Sequence, residues 1–224
     1  MTAVPGLVEL VSGACGPGAC LLDVGCHAGE LLVDIRAVRP DLRLRGVDLD
    51  AAGVAAARAA GLDAQVGRAD RLPDPDGSVD VLTLLDVLEH VPADRRAAVL
   101  DEARRVLVPG GLLVLQTPHA GTFQWLDPQN LRHRFPRLYR RVVRSGVRDA
   151  AYDGQEVVWH EHFTRAVIER LLGPGWSVES VAHPGRILLP LADLASWPFH
   201  RAGRTDARPA RALRALAGWD ARRD

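Results

Sequence analysis

Apolar residues in the first half of the chain follow two alternating rhythms. The run ACLLDV is short, continuous and closed by Asp23, and it predicts a buried strand. GELLVDIRAVRP follows with helical spacing and stops before Pro40. LRLRGVDLD predicts a second strand closing on Asp48, and AAGVAAARAAG an alanine-rich helix ended by Gly61. DAQVGRAD supplies a short third strand, and SVDVLTLL a fourth after the turn PDPDGS. PADRRAAVLDEARRVL is an amphipathic helix with Pro92 near its start and VPGG at its end, and LLVLQTP is a fifth strand. Strands that alternate with helices require crossovers. The pattern therefore implies an α/β fold with a doubly wound, mostly parallel sheet covered by helices on both faces.

Beyond Pro118 the regularity lapses. A helix is expected around PRLYRRVV, a further helix at TRAVIERLLG and a strand at WSVESVAH. RILLPL is the one candidate for a last strand. The terminal ARALRALAGW has the spacing of a short basic amphipathic helix, which docks on its own domain or forms a dimer contact. The first aromatic residue of the chain is Phe123, so the two halves have different packing tasks.

Composition narrows the setting. A chain of 224 residues supports one sizeable core, and equal numbers of acidic and basic residues, 28 each, argue against a nucleic-acid or membrane surface as the main partner. Every basic residue is arginine, which discounts arginine clusters as functional signals. One such cluster is LRHRFPRLYRRVVRSGVR, residues 131–148, which reads either as a solvated helix or as a clamp for an anionic substrate. Three cysteines, Cys15, Cys20 and Cys26, lack zinc-site spacing and suit a reducing compartment. No apolar run approaches the ~18 residues of a membrane span, and no signal peptide precedes the first strand, so a cytoplasmic protein is expected.

The chemistry concentrates in LLDVGCHAGE. In an open α/β sheet, ligands sit beyond the carboxyl ends of the strands beside the first strand-to-helix turn, where Gly25 and Gly29 fall. Glycine permits close approach and positive φ, and the helix that follows directs N–H groups toward an anionic group. Asp48, closing the second strand, can accept from both hydroxyls of a ribose. A dinucleotide would favour G-x-G-x-x-G, but Gly25, His27 and Glu30 occupy those places. An aminoacyl nucleoside without a pyrophosphate fits better.

LLDVGCHAG, GVDLD, RADRLPDPDGSVDVL, DVLEHV and RRVLVPGGLLVLQTP occur in order. Together they resemble class I S-adenosylmethionine-dependent methyltransferases, and in particular the branch of ubiquinone-biosynthesis O-methyltransferases. The resemblance implies a Rossmann-like methyltransferase sheet with a lid inserted after the fifth strand. In that organisation residues 1–224 form a single domain, with a cofactor-binding core over 18–118, a lid and substrate region over 119–162 and a helical extension over 186–224. It implies S-adenosylmethionine as cofactor, its methionine end held by Asp23, Gly25, Cys26, His27 and Gly29 largely through backbone. Asp48 would take the ribose and Leu49 the adenine, and Leu85 joins the same set. Arg68 stands where the family has an adenine-contacting Asp. Ala69 through its N–H, or Asp70 through its carboxylate, would then read the base.

Methyl transfer is an in-line displacement, so alignment of the acceptor supplies much of the rate. If DVLEH turns helically, Asp86, Glu89 and His90 share one face. Glu89 and His90, with His160 or His162 of WHEHFT, are the catalytic candidates, His90 as general base or as a substrate-orienting group. Two other readings stay open: LEHV as a structural buttress, and Asp86, Glu89, His90 and His160 as ligands of a divalent metal, as in metal-using relatives. The expected function is methylation of a small-molecule acceptor, possessing an anionic group if the arginine cluster contacts it, at oxygen first and nitrogen second. The expected assembly is a monomer or homodimer. The alternatives are a nucleic-acid 2′-O-methyltransferase and a non-catalytic methyltransferase-like partner subunit.

Overall fold

A strand buried on both faces has no polar face to alternate with, and the two central strands have that character. In the computed structural model, which describes residues 6–120, 151–152, 155–156 and 161–181, β1 (Cys20–Val24) is buried at all five positions. β4 (Val79–Leu85) is buried at every position except Asp80. The two pair in parallel, from Leu21 opposite Val81 to Val24 opposite Leu84. β2 (Arg43–Asp48) and β3 (Asp63–Val66) extend the sheet on one side, and β5 (Leu107–Gln116) extends it on the other. The order is β3-β2-β1-β4-β5, with every pair parallel.

Helix α2 (Glu30–Val38) crosses from β1 to β2, α3 (Ala51–Ala59) from β2 to β3, and α4 (Arg96–Val106) from β4 to β5. The chain walks outward from β1 in one direction and outward from β4 in the other. Right-handed crossovers therefore put α2 and α3 on one face of the sheet and α4 on the opposite face. Leu21, Cys26, Leu32, Ile35, Val54 and Ala57 gather on the first face with Val11 of α1 (Leu7–Ala14). The alternate strand positions Leu22, Leu82 and Leu84 are closed off with Val99, Leu100 and Ala103 of α4. Helix α1 has no counterpart among the elements expected from the sequence. Arg39 anchors it by donating to Ser12 O at 2.7 Å and Cys15 O at 2.9 Å.

The connection from β3 to β4 carries no helix. Arg105 of α4 holds it instead, donating to Leu72 O at 3.1 Å, Asp74 O at 2.9 Å and the Asp76 carboxylate at 2.7 Å. The fifth strand starts earlier than its apolar run suggests. Leu107 already pairs with Val79, and the register then jumps so that Val81 meets Leu112, while the intervening chain bulges through Gly110 at φ 79.

Two short pieces, β6 (Ala151–Tyr152) and β7 (Gln155–Glu156), pair antiparallel, and α5 (Arg165–Leu172) forms where TRAVIERLLG predicts it. The strand expected from WSVESVAH is absent over 176–181, where Val178 and Val181 are 43% and 44% exposed and no strand among the described residues supplies a ladder. The helix at PRLYRRVV, the strand at RILLPL, the terminal helix and most of 119–162 lie outside the described residues. The chain divides into two compact units, one of Met1–Pro118 with 151–157 and 169–172, the other of 119–150, 158–168 and 173–224. Among the described residues no helix is long and apolar enough to cross a membrane.

Candidate functional site

The carboxyl ends of β1, β2 and β4 meet where the strand order reverses, which is where open α/β sheets hold ligands. Gly25 opens the turn after β1 at φ 86, and Gly29 closes it at φ 82 as the residue that starts α2. Neither side-chain position is vacant. A Cβ on Gly25 would lie 2.3 Å from Val87 Cγ2, and one on Gly29 2.2 Å from Leu62 Cδ1. Both glycines are thus required by backbone conformation and by the protein's own packing, a stricter demand than the ligand approach expected from the sequence. His27, between them, also has positive φ, 46°.

The turn uses four of its five N–H groups within the protein. Gly25 N and Cys26 N donate to Val47 O at 2.7 and 3.3 Å, and Gly29 N donates to Cys26 O at 2.8 Å. His27 N donates to Asp48 Oδ2 at 2.7 Å, while Asp48 Oδ1 receives Asp50 N at 2.8 Å. Asp48 therefore ties the first turn to the second before any ligand arrives. These four N–H groups are engaged before any ligand arrives, and the first turn of α2, which has no side-chain cap, offers further donors.

Carboxylates surround the turn. Asp23 is buried at the end of β1 and accepts from Thr83 Oγ1 at 2.7 Å. Burial pushes its carboxyl up to about 6; the Thr83 hydrogen bond opposes the shift, and the charges of Asp48 and Glu30 add to it. The His27 ring lies 3.8 Å from Glu30 Oε1 and 3.7 Å from Asp50 Oδ2. Burial, together with the charges of Asp23 and Asp48, pushes the Cys26 thiol up to about 12, so it stays protonated and is no nucleophile. Sequence reasoning missed Glu30 and Asp50. The signal for Asp50 was present, an acid directly before an alanine-rich helix, and its side chain caps α3 through Ala52 N and Gly53 N.

At the end of β3, Arg68 donates through Nε and Nη2 to the Asp70 carboxylate at 2.9 and 2.8 Å, and Arg95 stands 3.6 Å from it. An Asp70 clamped this way is a poor substitute for a free adenine acceptor, whereas Ala69 supplies a buried backbone beside it. Leu49 follows β2 directly and is half-buried; Leu85, the last residue of β4, is buried.

The α-helical face expected at DVLEH does not form. Asp86 takes a left-handed backbone, φ 52, and only Leu88–His90 turns, as a short 3-10 helix. The α-helical register that would have set Asp86, Glu89 and His90 on one face is therefore absent. Glu89 is 1% exposed, and His90 is half-buried. Among the described residues no three of His, Cys, Asp and Glu come together as a metal site. His162 is half-buried in the second unit, and His160 lies outside the described residues.

Residues 22–115 match the model of a methyltransferase domain. A protein of Mycolicibacterium smegmatis named a probable S-adenosylmethionine-dependent methyltransferase is 37% identical over 111 residues, 47% of this chain and 40% of its own length. The match to a methyltransferase domain covers less than half of the 224 residues. The chain spans less than half of that relative's length. The ubiquinone biosynthesis O-methyltransferase of Pseudomonas paraeruginosa is 29% identical over 160 residues, covering 63% of this chain and 67% of that one. Among solved structures, the cyclase SpnF superposes with a TM-score of 0.59 at 23% identity, over 96% of this chain and 72% of its own. That likeness concerns the methyltransferase fold alone, since one fold hosts different reactions.

The donor set of this crevice suits S-adenosylmethionine. A pyrophosphate would need N–H groups most of which the turn has already used, and would face Asp23, Glu30, Asp48 and Asp50. S-adenosylmethionine brings a ribose, an ammonium and a sulfonium to the carboxylates, and one carboxylate to the α2 N-terminus.

Proposed function

We propose that the protein is a methyltransferase that binds S-adenosylmethionine in the crevice and methylates a small-molecule acceptor, at oxygen first and nitrogen second. The observation that carries the reading is the Gly25–Gly29 turn, with the N–H groups of Gly25, Cys26, His27 and Gly29 spent and its surroundings acidic. Bound there, the cofactor supplies an electrophilic methyl group on a positive sulfonium. On this reading Ala69 and Leu49 meet adenine, Asp48 the ribose, and the turn and the α2 N-terminus the amino-acid end, an arrangement the strand order supports. The acceptor then belongs on the side of β4 and β5, beside Asp86 and His90. His90 takes the proton of a hydroxyl acceptor; an amine acceptor already deprotonated needs no base. The oxygen preference is supported by the relative named a ubiquinone biosynthesis O-methyltransferase. Equal acidic and basic counts weigh against a nucleic-acid acceptor.

Calorimetric titration with S-adenosylmethionine, S-adenosylhomocysteine and NAD tests the cofactor reading, which expects both sulfur ligands to bind and NAD not to. Asp48→Asn keeps an acceptor for His27 N–H but loses the charge, and should weaken both sulfur ligands by about 1–3 kcal/mol. Unchanged affinity in the variant would remove Asp48 from the ribose contact. Incubation with labelled S-adenosylmethionine and a metabolite extract then identifies the acceptor.

A further inference from the structure

At the end of the sheet opposite the crevice, β2, β1 and β4 begin side by side. Cys20 pairs with Arg43 on one flank and Leu21 with Val81 on the other, so Arg43, Cys20 and Asp80 stand on one rung. A cleft of about 480 Å³ opens there. The chain before β1 lines it with Gly16 and Gly18, and the bulge of β5 with Gly110 and Gly111. Nothing lies within 4 Å of where a Cβ would stand on Gly16, Gly18 or Gly110, so the missing side chains leave the space open. Ala14, Pro17, Val108 and Leu112 give it an apolar part.

The neighbouring charges are paired off. Asp41 accepts from Arg39 Nε and Nη2 at 2.8 Å each and from Gly18 N at 3.2 Å, which holds its carboxyl well below the usual carboxylate range. Arg39 turns its other donors to Ser12 O, Cys15 O and Gly16 O. Arg45 is taken by the buried Asp74 and by Asp63. Arg43 and Asp80 keep unused capacity among the described residues. The Arg43 guanidinium donates through Nε to Gly18 O at 3.4 Å and leaves both Nη groups over. Asp80 Oδ2 accepts Cys20 N at 2.8 Å and leaves Oδ1 over. The two side chains are thus fastened on either side of Ala19 without an ion pair between them. Such an arrangement disfavours simple ions. Phosphate at Arg43 would face the Asp80 carboxylate, and a lone cation at Asp80 would face the guanidinium. A zwitterion satisfies both, its carboxylate receiving the Arg43 N–H groups and its ammonium donating to Asp80 Oδ1. We infer that the cleft binds a free α-amino acid whose apolar side chain lies against Pro17, Val108 and Leu112. The five residues of β1, at roughly 3.3 Å each, put the cleft about 16 Å from the crevice, so its occupant leaves the crevice free.

Titration of the isotope-labelled full chain with L-leucine, followed by amide chemical shifts, tests the site. Saturable shifts are expected at Gly18, Cys20 and Gly111. N-acetyl-L-leucine lacks the ammonium and L-leucinamide lacks the carboxylate, so each should bind unaltered protein at least about tenfold more weakly. Arg43→Gln and Asp80→Asn should each weaken L-leucine about tenfold, and Asn still accepts from Cys20 N. Gly16→Leu places a side chain where φ is ordinary and space is open, and should weaken L-leucine most while melting like wild type. No saturable response to L-leucine would overturn the inference. Equal binding of the blocked derivatives would do the same, as would variants that melt normally and bind L-leucine as wild type does. Inorganic phosphate bound as tightly as L-leucine would make the cleft an anion site and overturn it too.

Discussion

Gly25→Ala tests whether the turn is built as described. At φ 86 an L-residue pays about 1–2 kcal/mol for left-handed backbone. The added methyl would also stand 2.3 Å from Val87 Cγ2, an overlap whose relief by shifting side chains or backbone costs about 1–3 kcal/mol. The sum is a destabilisation of roughly 2–5 kcal/mol. Gly110→Ala is the control: φ is 79, but nothing lies within 4 Å of the new Cβ, so only the backbone part applies. Both substitutions restrict the unfolded chain alike, so that contribution cancels in the comparison. Urea denaturation followed by circular dichroism should place the midpoint of Gly25→Ala well below that of Gly110→Ala. In the background Gly25→Ala, adding Val87→Ala should recover part of the packing loss and none of the backbone loss. A Gly25→Ala protein no less stable than Gly110→Ala would refute the packing of Val87 against the turn.

Asp23 titrates near 6 when folded and near 3.9 when unfolded, so wild type loses stability as pH rises through that interval. Asp23→Asn has no proton to lose and should therefore gain on wild type by about 2–3 kcal/mol between pH 4 and pH 8, read from urea midpoints; a pH-independent difference would contradict the buried carboxyl. Arg105→Leu removes the donors that hold the helix-free link between β3 and β4, and should cost about 1.5–3 kcal/mol in a denaturant titration. Once an acceptor is known, His90→Ala should lower turnover by roughly 10²–10⁴ with no chelator effect if His90 is the base. Activity lost to chelator and restored by magnesium, manganese or zinc would instead establish the metal reading.

Local pattern was enough to set the strands and helices from Cys20 to Gln116, though not α1 before them, because burial on one or both faces dictates periodicity within a single element. It also singled out the Gly25–Gly29 turn and Asp48, since a left-handed turn and a strand-ending acid are properties of neighbouring residues. Elements that depend on a partner were read less well. WSVESVAH has strand composition but no ladder over its described part, and DVLEH has helical spacing but follows a strand end clipped to Gln116. Tertiary structure alone decided which side chains meet across long separations: Val87 against Gly25, Thr83 on Asp23, Gln116 on Asp86. Those meetings follow from the order of parallel strands and their register, which many weak contacts select together. The charge state of Asp23 and the orientation of Asp86 follow from them in turn, because desolvation and hydrogen-bond geometry exist only once distant strands are side by side.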